Sequence, residues 1–173
     1  IEFDKKNNKD FIIGRGWDQN DWNNKSFPTN KLLNEAFPDK AVVLRRIDGH
    51  AYIVNDYALS IAGVDESSNL DGGEFIKLRG KLTGVLIDNA MRLIDNVIPA
   101  PNREESIKAL LSAQDLAFEN GLTTVSEAGI SRKQIELIDS LQQSGILKIK
   151  IYAMIDNGPD VDYFIEQGPY KTD

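Results

Sequence analysis

The chain has 173 residues, room for one domain or for a small domain plus part of another. With 41% hydrophobic residues, 27% charged residues and 13 scattered glycines, it falls outside the disordered and low-complexity classes. A formal charge of −7 without basic clusters excludes a nucleic-acid footprint, and no apolar run approaches the roughly 18–20 residues that cross a bilayer.

In chain order, residues 1–9 are expected to close a preceding element. Phe11-Ile12-Ile13 reads as a strand that delivers the chain into Gly14-Arg15-Gly16-Trp17-Asp18. Residues 41–47 read as a second strand, followed by a turn at Asp48-Gly49. A helix is expected over about 55–62, closed by Gly63, then a hairpin of residues 75–78 and 83–87 joined through Arg79-Gly80-Lys81. Residues 88–94 read as a short helix with Asp88 as its N-cap. Strands joined by hairpins, with small helices between them, make residues 10–100 an α+β unit. The Pro99-Ala100-Pro101 stretch marks its boundary, since proline stiffens the chain and disfavours helix just before it.

The second half, residues 101–173, is punctuated more clearly. Asn102 with Glu105 forms a capping box, Ile107, Leu110, Leu111 and Phe118 fall near one helical face, and Gly121 stops the helix. A β-prone run at Leu122-Thr123-Thr124-Val125 follows. A second capping box at Ser131 and Gln134 opens a helix with an Ile135, Ile138 and Leu141 stripe, stopped by Gly145. Residues 147–155 then alternate as a strand, and a short helix from Pro159 carries Val161, Phe164 and Ile165 up to Gly168-Pro169. Strand, helix, strand in that order implies a parallel pair with a right-handed crossover. Such a pair cannot cover its own faces, and another strand is due at Asp173, so the pattern reads as an internal segment of a longer α/β barrel or doubly wound sheet.

Three stretches carry candidate chemistry. The run from Gly14 to Trp22 puts two tryptophans and the carboxylates of Asp18 and Asp21 just past a strand, where binding loops sit; the alternative is a turn with Trp17 packed in the core. Asp48 and His50 flank a glycine after the second strand, so both side chains could meet in a cleft, with the carboxylate orienting the imidazole; the alternative is a surface turn. Ser126-Glu127-Ala128-Gly129 follows the strand at 122–125, where a β/α barrel faces its active site, although a solvated loop reads equally well. No Gly-x-Ser-x-Gly elbow accompanies Ser126. There is no cysteine and one histidine, which argues against a self-contained zinc site and leaves both the cytoplasm and export open.

Taken in order, Gly14-Arg15-Gly16-Trp17-Asp18-Gln19, the run from Leu44 to Ala51 with Asn55, Gly72-Gly73-Glu74, Leu82-Thr83-Gly84-Val85-Leu86 and Gly121-Leu122-Thr123-Thr124-Val125 resemble the YtcJ-type branch of the amidohydrolase superfamily, which includes N-substituted formamide deformylases. The resemblance implies an α/β fold in which a small inserted α+β domain, residues 10–100, is followed by a partial (β/α)8 TIM-barrel segment, residues 101–173. It implies a metal-dependent hydrolase of C–N bonds that uses a divalent metal, zinc above all, to polarise a carbonyl and activate water. The family's metal ligands belong to motifs outside this stretch, and Ser126-Glu127-Ala128-Gly129 stands where the family commonly has His-Asp-Ala-Gly. Trp17, Asp18, Asp48, His50 and Glu127 are therefore expected to contact a small-molecule substrate, with no metal ligand among them. Two rival readings are a non-catalytic α+β module that binds a small molecule or a protein, and a structural segment that self-associates as a homo-oligomer.

Overall fold

The computed structural model describes residues 10–168, in which the chain divides after Ala100 into two compact units. The element expected at 1–9 and the stop at Pro169 lie outside the described residues. In the first unit, strands β1 (Phe11–Trp17), β2 (Ala41–Arg46), β3 (Ala51–Val54), β4 (Gly73–Leu78) and β5 (Lys81–Asp88) form one sheet in the order β1-β2-β3-β5-β4. The β1–β2 pair is parallel and the remaining pairs are antiparallel. Helices α1 (Lys31–Ala36), α2 (Asp56–Ile61) and α3 (Met91–Asp95) connect or follow the strands.

Several boundaries differ from the sequence expectation. β1 does not stop at Ile13, because β2 offers backbone partners as far as Arg46. Gly16, at φ +103, absorbs one extra residue as a bulge between Arg15 and Trp17, so the ladder continues. β3 escapes the alternation test because all four of its residues are buried, which erases the two-residue period of a half-exposed strand. Asp88 is no helix cap: it ends β5 at φ +49, and Ala90 precedes α3. The β4–β5 hairpin turns as expected, with Arg79 and Gly80 both at positive φ, the conformation that matches strand twist in a two-residue turn.

The core of this unit follows from the pleat. Val43, Tyr52, Val54 and Leu86 meet Ala58 and Leu59 of α2 and Ala90, Met91 and Ile94 at α3. Tyr52 donates its hydroxyl hydrogen to Asp95 Oδ1 at 2.7 Å, pinning α3 to the sheet, and burial helps to push the phenol up to about 12.

The second unit contains α4 (Arg103–Glu119), β6 (Thr124–Ile130), α5 (Arg132–Gln143), β7 (Lys150–Ile155) and α6 (Val161–Gln167). β6 and β7 pair in parallel, and both capping boxes form as written in the sequence. Ile130, Ile135, Ile138, Leu141, Leu147 and Ile149 make the buried cluster, with Ile107, Leu110 and Leu111 of α4 packed against it. Phe118 lies outside that cluster and is 40% exposed, contrary to its expected place on the apolar face. The last helix begins at Val161 rather than Pro159, and its Ile165 is 71% exposed while Phe164 reaches the core. Two helix glutamines fix the approach to β7. Buried Gln114 accepts from the backbone N–H groups of Lys148 and Ile149, and Gln142 donates to the Ile149 carbonyl at 2.8 Å.

Asn55 concentrates the polar demands of the first unit in one fully buried side chain. Its Oδ1 caps α2 by accepting from Ala58 N–H at 3.1 Å and also accepts from Val42 N–H at 3.0 Å. Its Nδ2 donates to the carbonyls of Phe37 at 2.8 Å and Lys40 at 2.7 Å. Replacing Asn55 with alanine leaves the buried N–H groups of Val42 and Ala58 without their acceptor, so Asn55→Ala is expected to destabilise the unit by roughly 2–4 kcal/mol, read as a lower urea midpoint. An unchanged midpoint would mean that water or a backbone shift satisfies the groups instead.

Candidate functional site

Strand direction gathers one end of the five-stranded sheet. β1 and β2 run together, so Trp17 and Arg46 finish side by side. β3 runs against β2 and β5 runs against β3, which brings the return of the chain at residues 47–50 beside the end of β5. Continuing the β3–β5 register one residue beyond the Ala51 and Ile87 pair sets His50 opposite Asp88, whose N–H donates to the His50 carbonyl at 3.1 Å.

Arg46 is the hub of this end. Its Nε and Nη2 donate to the two carboxylate oxygens of Asp48 at 2.9 and 2.6 Å, a bidentate pair, while its guanidinium lies 5.8 Å from the Phe27 ring centroid. The hydrogen bonds it donates to Asp48 raise the Arg46 pKa, with Asp18 and Asp88 adding a weaker Coulomb contribution. In return, Arg46 and then the His50 N–H at 3.0 Å hold the Asp48 carboxyl down to about 2.

Asp48 and His50 do not meet through their side chains as expected, because Arg46 and the backbone occupy the Asp48 oxygens. The imidazole instead turns to Asp88: His50 Nδ1 lies 2.8 Å from Asp88 Oδ1, with the His50 side chain 70% exposed. Sequence reasoning missed Asp88 by assigning it to a helix cap. The juxtaposition comes from the β3–β5 register, and β3 shows no alternation in the sequence.

Trp17 ends β1 half-buried, its Nε1 donating to the Leu44 carbonyl at 2.8 Å and its ring stacked near Trp22 at 6.3 Å between centroids and 22° between planes. Asp18 spends one oxygen on the 3-10 turn Gln19–Asp21, accepting from the N–H and the side-chain amide of Asn20, both at 2.9 Å. Trp17, Asp18, Asp48 and His50 thus share one sheet end. Glu127 belongs to the second unit. There, Ser126 and Glu127 lie within β6 rather than beyond it, since β7 pairs with them and the register shifts only between Ala128 and Ile130. Both border an apolar groove of about 610 Å³ lined by residues such as Leu110, Leu137, Ile138, Leu147 and Ile151.

Among the described residues, no three His, Cys, Asp or Glu side chains come close enough together to hold a metal ion. The single histidine is engaged by Asp88, and the neighbouring carboxylate of Asp48 is engaged by Arg46. These described residues do not by themselves fit a metal centre.

Residues 2–168 match the profile of the Amidohydrolase family. The chain belongs to that family. It is similar to YtcJ of Bacillus subtilis (strain 168), which is named as an amidohydrolase, with 36% identity over 116 residues, 66% of this chain and 22% of YtcJ. It is also similar to Protein LONG AFTER FAR-RED 3 of Arabidopsis thaliana, with 35% identity over 121 residues, 69% of this chain and 21% of that protein. The chain therefore spans about a fifth of the length of these curated relatives. The fold is shared with an uncharacterized metal-dependent hydrolase from Pyrococcus horikoshii OT3, at TM-score 0.63 and 24% identity over 95% of this chain and 32% of the other. A second such hydrolase, from Pyrococcus furiosus, matches at TM-score 0.62 and 22% identity over 99% of this chain and 34% of the other. The α/β class and the amidohydrolase resemblance read from the sequence agree with these findings.

The loop at 47–50 should be acid-sensitive. The Asp48 carboxyl sits below its ordinary 3.8 at about 2 in the folded chain, so its stabilisation is complete above 3.8 and is lost as pH falls through about 2. Protection of the His50 N–H, taken relative to its intrinsic exchange rate at each pH, is expected to fall across that window, and Asp48→Asn should abolish the step. Unchanged protection down to pH 2 would contradict the role given to this carboxylate.

Proposed function

We propose that this chain is a stretch of a metal-dependent amidohydrolase that cleaves a C–N bond of an amide, formamide or cyclic amide, and that it supplies walls of the substrate pocket rather than metal ligands. The observation that carries the reading is the family match over residues 2–168 in a sequence with one histidine and no cysteine. A divalent ion, zinc in this proposal, would polarise the carbonyl and activate water, held by residues outside this stretch. By itself the stretch would then be inactive.

Residues 10–100 are read as an α+β domain inserted into a (β/α)8 barrel, and residues 101–173 as two strand–helix units of that barrel. The parallel β6–α5–β7 arrangement and the division after Ala100 support this assignment. In the first unit Trp17 would give the pocket an apolar face and Asp18 and His50 its polar contacts. Asp48 would serve by fixing the loop that presents His50. In the second unit Glu127 would contribute a carboxylate at the rim of the apolar groove.

Elemental analysis tests the reading. The 173-residue chain should purify without stoichiometric metal, whereas the longest natural reading frame containing it should hold about one or two divalent ions and hydrolyse members of a panel of amides, formamides and cyclic amides. Stoichiometric metal in the chain itself would contradict the assignment of ligands elsewhere. A longer protein with neither metal nor hydrolysis would remove the amidohydrolase mechanism.

A further inference from the structure

We infer that Asp88 is the positioning residue of His50, and that it fixes the imidazole so that Nε2 offers a lone pair to the N–H of an amide substrate. The substrate contact rests on the hydrolase reading above; the positioning of the ring does not.

The argument begins with proton inventory. An ionised carboxylate has no hydrogen to give, so the 2.8 Å contact between His50 Nδ1 and Asp88 Oδ1 places the hydrogen on Nδ1. In a neutral imidazole the other nitrogen, Nε2, is then the acceptor. Free imidazole side chains have no such constraint, so the tautomer here is a product of the fold.

Three features hold the pair in register. The β3–β5 ladder sets the two residues opposite each other, and Asp88 N–H bonds to the His50 carbonyl at 3.1 Å, so both backbones are tied. Asp88 adopts φ +49, a left-handed conformation that most residues resist and aspartate tolerates, at the last position of β5. From the other side, Asp48 receives the His50 N–H at 3.0 Å while Arg46 grips both of its oxygens. The ring therefore projects from a braced loop, 70% exposed, at the sheet end that also carries Trp17 and Asp18. Asp48 and Asp88 bond directly to His50, and Arg46, which holds Asp48, also feels Asp18 and Asp88. Of the two bonded carboxylates only Asp88 reaches the ring.

Because the sequence contains one histidine, its ring nitrogens can be observed without assignment ambiguity in a long-range ¹H–¹⁵N spectrum of the full chain. The wild-type chain should show the Nδ1–H tautomer at a pH where the imidazole is neutral. Asp88→Gly removes the carboxylate while accommodating the positive φ, and should release the ring to a tautomer mixture. Asp88→Asn keeps the shape but adds an amide donor that can face Nδ1, and should shift the ring toward the Nε2–H tautomer, which a merely structural role for Asp88 would not predict.

In the metal-loaded longer protein, hydrolysis of 4-nitroformanilide provides the second readout. Asp88→Gly and His50→Ala should each raise KM roughly tenfold with metal content unchanged, and the double variant should cost no more than either alone. The N-methyl analogue of 4-nitroformanilide, which lacks the N–H, should be insensitive to both substitutions. A tautomer unchanged in Asp88→Gly would overturn the positioning role. A changed tautomer with unchanged kinetics would overturn the substrate contact and leave the hydrolase reading standing. Absence of both metal and turnover would remove the hydrolase reading and the contact together, with the spectrum alone deciding the role of Asp88.

Discussion

The first unit depends on the complete satisfaction of Asn55. A buried amide that lost even one of its partners would oppose folding, because a polar group taken from water without a new bond costs more than most single contacts return. Here both ends of the amide are used, and the groups they serve belong to β2, the segment before it and the first turn of α2. One side chain thus couples a strand position, a loop and a helix start, and the order of the apolar residues around it follows. Asn30 plays a smaller part nearby, donating to the Val54 carbonyl at 3.0 Å and to Asp56 at 2.7 Å. That close packing leaves no room at Gly84, where a Cβ would lie 2.3 Å from the Val54 carbonyl oxygen.

With β2, β3 and β5 held in this register, the polar end of the sheet is a consequence rather than a separate design. Parallel β1 and β2 deliver Trp17 and Arg46 to the same edge, and the antiparallel return delivers His50 and Asp88 there too. The electrostatics then sort themselves by geometry. Arg46 takes Asp48 because its planar fork matches a carboxylate, which leaves Asp88 as the partner of the imidazole. Surface ion pairs of this kind add little to stability, since water screens them, and their consequence is orientation of the ring.

The second unit solves a different problem with similar chemistry. A parallel strand pair receives each strand from a loop, and the backbone N–H groups just ahead of β7 need partners. Gln114 and Gln142, reaching from two helices, supply bonds to Lys148 and Ile149 and so fix where β7 starts against β6. The groove bordered by Ser126 and Glu127 lies within this unit, and its apolar walls come from the same α4, α5, β6 and β7 residues.

The sequence by itself determined the local punctuation. Both capping boxes, the Arg79-Gly80 turn and the helix begun by Asn55 depend on contacts within a few residues, and these are written in residue type and spacing. The family resemblance was equally legible, as an ordered set of short strings. Tertiary structure decided what those strings become. Gly14 to Trp17 and Ser126 to Gly129 read as loops until a neighbouring strand extends them as ladders, and β3 has no alternation to display because both of its faces are covered. The candidate site divides in the same way. Trp17, Asp18, Asp48 and His50 could be named from their positions after strands, but the pairing of His50 with Asp88 crosses 38 residues and exists only through the β3–β5 register. Hydrogen bonding across a sheet depends on which strands meet, and that choice is made by the packing of the whole unit.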